Sequence, residues 1–79
     1  MIVKLYVVFD KVAAEAGPVF QAKNDGVALR QYNELLVKNQ VKNTEEYQLL
    51  CLGQYDTEKP SVVSFPTTEV YLTVDDNDE

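Results

Sequence analysis

Residues 2–9 read IVKLYVVF. β-Branched and aromatic side chains fill this run, the mark of a strand rather than a helix. Alternation puts Val3, Leu5, Val7 and Phe9 on one side and Ile2, Lys4, Tyr6 and Val8 on the other. Both sides are largely apolar, so the strand is expected at the centre of a sheet and not at its edge.

DKVAAEAGP (10–18) follows and reads as a loop closed by the breaker pair Gly17-Pro18. VFQAK (19–23) is a short second strand, most simply antiparallel to the first. Asn24 or Asp25 then offers a helix N-cap, and the helix is expected over about residues 25–39. Ala28, Leu29, Tyr32, Leu35 and Leu36 recur at three- and four-residue spacing and define its buried stripe. Glu34 and Lys38 stand four apart in the favourable order, a small local stabiliser. NQVKNTE (39–45) is a polar connection.

EYQLLCLGQY (46–55) is a third strand, with Tyr47, Leu49, Cys51 and Tyr55 on one face and Leu50 and Leu52 on the other. Gly53 predicts a bulge or the close approach of another backbone. A turn covers 56–60, SVVSF (61–65) is a fourth strand pairing with the third, and Pro66 interrupts it. Residues 69–74 are expected to form a fifth strand or to dock on a neighbouring subunit. The order β-β-α-β, with one or two short strands after it, predicts an α+β domain: a small antiparallel or mixed sheet with one helix on one face. Residues 1–74 would form that single domain and 75–79, DDNDE, an acidic C-terminal tail.

The chain has 79 residues and a mass of 8.9 kDa, which leaves no room for a second domain. A 46% hydrophobic and 25% charged composition excludes a wholly disordered tail, a collagen-like repeat and a disulfide-stapled toxin. A domain this small hides only about 60% of its unfolded surface, and a homo-oligomer is a common remedy. No stretch approaches the ~20 apolar residues of a membrane span, and no signal peptide is expected, which places the chain in the cytoplasm where it is made.

Histidine is absent, which removes the usual proton-transfer group near neutral pH and the commonest metal ligand. Cys51, the single cysteine, lies in an apolar run and reads as a small buried hydrophobe. No phosphate-cradling glycine loop occurs. Asp75, Asp76 and Asp78 lack the glycine and twelfth-position glutamate of a calcium loop, and Glu45-Glu46 reads as a solvated pair. No enzyme, cofactor or metal is expected.

The formal charge is −6, which argues against a chain that is basic all over. The charge is uneven, however. Residues 1–42 carry six cations and four carboxylates, a net +2; residues 43–79 carry one cation and nine carboxylates, a net −8. Lys23, Arg30, Lys38 and Lys42 cluster around the helix as a modest cationic patch, and Tyr6 or Tyr55 would add a stacking surface for a single-stranded base. So few cations imply weak, salt-sensitive binding per protomer, which several subunits would add up. The competing reading is that these charges only solvate the surface, and that the acidic end keeps the chain soluble or mimics a DNA backbone.

The segments YVVFDKVAAEAGPVFQAKNDGVALRQY (6–32) and EEYQLLCLGQYD (45–56) carry an ordered set of motifs. These are an aromatic-Asp strand end (Phe9-Asp10), a Pro-hydrophobic-Phe step (Pro18-Val19-Phe20), a helix start with Asn24-Asp25-Gly26, Ala28, Arg30 and Tyr32, and a strand closing Leu52-Gly53-Gln54-Tyr55-Asp56. Over about two thirds of its length the chain thereby resembles the small nonstructural protein of gokushovirus-type microviruses, phages with single-stranded circular DNA. The resemblance implies a nonstructural DNA-binding protein serving the switch to single-stranded genome synthesis and packaging. It implies as partners single-stranded phage DNA, further copies of the chain and phage replication or capsid proteins. Arg30 is the one motif cation and the first candidate for a phosphate contact, the alternative being an ion pair with Glu34. The second functional class is an acidic interaction module that binds a replication, capsid or host protein and never touches DNA.

Overall fold

The computed structural model describes residues 1–71. Strand β1 (Ile2–Asp10) is the spine. On one side it pairs with two short strands, β2 (Glu15–Ala16) and β3 (Phe20–Ala22), and on the other with β4 (Tyr47–Asp56), which pairs in turn with β5 (Ser61–Glu69). Every pairing is antiparallel. Helix α1 (Asp25–Lys38), followed by a 3-10 turn at Thr44–Glu46, leads from β3 to β4 and packs on one face, giving the expected α+β domain with β1 inside the sheet.

The helix begins where the sequence marks it. Asn24 is extended and its side chain accepts a hydrogen bond from the Val27 amide at 3.0 Å, satisfying one of the free donors of the first turn. Asp25 in the first turn and Lys38 in the last both suit the helix dipole. At the other end Gln40 takes a left-handed φ of 54°, its amide donates to the Val37 carbonyl and the Val41 amide donates to the Leu36 carbonyl. This double bond pattern ends the helix with a residue other than glycine in the glycine-favouring position.

The core lies between α1 and the sheet. Tyr6, Ala22, Ala28, Leu49 and Cys51 are buried together, with Phe20, Val27, Leu29, Tyr32, Phe65 and Val70 packed around them. The register explains the grouping: Tyr6 stands opposite Cys51 and Val8 opposite Leu49, so their side chains share the helix-facing side. The other face of the sheet carries Val3 and Val7, both also buried.

Several expectations are corrected. Between Leu5 and Tyr6 the β1–β4 register slips by one, because β4 spends an extra residue, Leu52, there. Tyr55 consequently pairs with Val3 and lies on the face opposite Leu49 and Cys51, not with them. Gly53 serves both roles expected of it. It adjoins the bulge, and a Cβ on it would stand 2.9 Å from Ser64 Cα and 3.1 Å from the Val63 carbonyl carbon. Pro66 does not end the strand after 61–65. β5 runs on to Glu69 by bulging there, so that Cys51 and Gly53 pair with Thr68 and Ser64; an outer strand tolerates the missing N–H. The 10–18 loop contains the short strand β2. Leu35 is 41% exposed rather than part of the buried stripe. Glu69 belongs to β5 and Val70 and Tyr71 to no strand, while 72–74 and the acidic run 75–79 lie outside the described residues.

Candidate nucleic-acid interface

The four cations singled out by the sequence fall along α1 and just beyond its ends. Lys23 precedes the helix, Arg30 and Lys38 are on it, and Lys42 follows it; all four are exposed. A 14-residue helix is about 21 Å long, so Lys23 and Lys42 mark opposite ends of the element. Arg30 and Lys38 are separated by two four-residue steps, about 80° around the axis, and share the outer, solvent side of the helix away from Ala28 and Leu36. Glu34 sits midway between them on the same stripe. The structure thus brings Arg30 and Lys38 onto one face, leaves Lys23 and Lys42 beyond opposite ends of the helix, and places the Glu34 carboxylate between the first two.

Among the described residues, none of these four cations has a carboxylate within 4.0 Å; the ion pairs there are the Met1 amino group with Asp56 and Glu58, and Lys4 with Asp25. Neither the alternative Arg30–Glu34 ion pair nor the Glu34–Lys38 pair is formed at that distance.

Tyr6 is corrected as a stacking surface. Its exposure is 0%, so no base can reach the ring. The ring instead stacks on Phe20, centroids 5.8 Å apart and planes inclined by 27°. Its hydroxyl donates to the Asp25 carboxylate at 2.6 Å, and Lys4 Nζ approaches the same oxygen at 3.7 Å. Burial foremost, and then the hydrogen bond to Asp25 and its charge, push the Tyr6 hydroxyl well above the ordinary tyrosine pKa. Asp25 is therefore engaged from the sheet and does not face the outer cations. Tyr55, the alternative stacking residue, is half-buried on the face away from the helix. No aromatic ring expected to stack a base stands beside Arg30 and Lys38.

Sequence reasoning missed an open apolar groove of about 290 Å³ between the start of β3 and the helix, lined by Pro18, Phe20, Gln31, Tyr32 and Leu35. Partial burial, with the charge of Glu69 second, raises the Tyr32 hydroxyl pKa. A signal for the groove was present in Leu35-Leu36-Val37. Three successive helical positions span about 200° of arc and cannot all face one sheet. Leu36 is buried, while Leu35 and Val37 are 41% and 78% exposed.

Among the described residues, no three Cys, Asp or Glu side chains gather as a metal-holding group, and no helix is long and apolar enough to cross a membrane. Cys51 is buried, as its apolar run predicts. No curated protein and no solved structure matches this chain. One family model does, over residues 3–76, and its description is Phage ORF5 protein.

Proposed function

The chain belongs to the Phage ORF5 protein family, and we propose that it is a non-enzymatic phage protein that binds single-stranded or replicating DNA and assists the switch to single-stranded genome synthesis and packaging. The narrower placement, among the nonstructural proteins of gokushovirus-type microviruses, is supported by the ordered motifs from Phe9-Asp10 to Tyr55-Asp56. The host bacterial cytoplasm is the setting this reading implies, with no membrane contact.

The observation that carries the reading is the outer face of α1. Arg30 and Lys38 are exposed, lie on one stripe, and have no carboxylate within 4.0 Å among the described residues. Lys23 and Lys42 add exposed cations just before and just after the helix. Without an accessible aromatic ring there, the contact is to phosphates and takes little account of sequence. Glu34 within the row and the overall charge of −6 keep it weak. The test is titration of a labelled single-stranded oligonucleotide at low and at moderate salt. Binding that weakens with salt, and that Arg30→Ala with Lys38→Ala reduces several-fold, is expected. Failure to bind at low salt, or binding indifferent to the double substitution, overturns the reading.

A second reading is favoured by the groove beside Leu35 and by the acidity of residues 43–79. In it the chain is an acidic adaptor for a phage replication or capsid protein, or for a host protein, and DNA is not a ligand. Leu35→Ser abolishing capture of a purified phage protein, with no DNA retained by the unaltered chain, would decide for it.

A further inference from the structure

The two edges of the sheet are built differently. On the β2/β3 side the edge is broken into strands of two and three residues, split by Gly17-Pro18. Short, interrupted edges are how soluble proteins stop strands from adding to a sheet. On the β5 side the edge is nine residues long. It carries no charged side chain from Pro60 through Thr68, and it displays Val62 and Val63 at 62% and 53% exposure. Among the described residues β5 pairs with β4 alone, so no strand among them takes up the backbone donors and acceptors of its outer side. The first half, Ser61 to Phe65, has neither the lysine nor the proline that would blunt it; Pro66 marks where regular pairing must stop.

We propose that β5 is the contact surface of a homodimer, pairing antiparallel with β5 of a second copy about a two-fold axis near Val63. The same five residues then meet themselves: Val63 faces its own counterpart, Val62 faces Ser64 and Ser61 faces Phe65. An antiparallel pair of identical strands is self-complementary, as a two-fold contact requires. Once two β5 edges have joined, both outer edges of the combined sheet are the interrupted β2/β3 kind. Assembly therefore closes at two copies and does not grow into a fibre. Four cations per protomer become eight per particle, independent of whether DNA is the ligand.

The test is sedimentation velocity on the full chain over a wide concentration range, beside Val63→Lys and, as a control, Val12→Lys on the exposed 10–18 loop. Circular dichroism checks that each variant is folded. The expected result is a concentration-dependent dimer, intact in the control, whose dissociation constant rises about tenfold or more in Val63→Lys, where two lysines are placed face to face. Amide exchange on the unaltered chain gives a readout that needs no variant: protection of residues 61–65 should increase with concentration. A monomer at every concentration overturns the proposal. So does a dimer indifferent to Val63→Lys with unchanged exchange at 61–65. Species that grow past two copies overturn closure at the blunted edges.

Discussion

Tyr6 ties the sheet to the first turn of the helix. Its ring is fully buried, yet its hydroxyl reaches Asp25 at 2.6 Å. Tyr6→Phe keeps the packing and removes the hydrogen bond. Asp25 is half exposed and regains water, so the expected cost is about 1 kcal/mol, measured by urea unfolding. The same residue sets an upper pH limit. Its folded-state pKa is raised above the ordinary 10.0. Below pH 10 the hydroxyl keeps its proton in folded and unfolded chains alike, and its contribution is fully present. Above that value the unfolded chain ionises first, so stability falls as pH rises. Tyrosinate absorbance should show Tyr6 ionising only together with unfolding, and Tyr6→Phe should lessen the alkaline loss. The tyrosine in IVKLYVVF is legible as half of an alternating strand. That it would be sealed by Ala22 and Ala28 instead of meeting a base depends on which face the helix covers.

At the level of elements, the start of the helix is legible and its end is not. Asn24 is a favoured cap residue and acts as one. The end has no glycine to announce it, because Gln40 fills the left-handed position. Gln40→Gly should remove that strain and raise stability by about 0.5–1 kcal/mol, read as a higher midpoint of unfolding. Gly53 is the reverse case, a glycine whose reason lies in a neighbouring strand. Its φ is not in the left-handed region, so the requirement is for space and not for conformation. Gly53→Ala would press a methyl group against the backbone of Val63 and Ser64. The expected cost is about 1–3 kcal/mol, checked by denaturant unfolding, with the β4–β5 hairpin exchanging fastest. The bulge beside it also turned Tyr55 to the other face. A strict two-residue period cannot foresee this, since one extra residue reverses every side chain beyond it.

For the molecule as a whole, charge is arranged by half of the chain. The cations gather around the helix and the carboxylates in the later strands and the end. With at most four phosphate contacts per protomer, the logarithm of affinity for a single strand should fall against the logarithm of salt with a slope no steeper than about −3. A steeper slope would mean more than one protomer on the strand. The composition, the central first strand, the capped helix and the placing of α1 between β3 and β4 follow from the sequence because each rests on local pattern: alternation, a side-chain cap, a breaker pair; the two-residue β2 inside the 10–18 loop does not. Tertiary structure alone decided that Tyr6 is core, that Leu35 stays out of it, that β5 continues past Pro66, and that one edge of the sheet is blunted while the other is open. Those outcomes depend on which strands become neighbours, and pairing between residues far apart in the chain leaves no periodic trace in either partner.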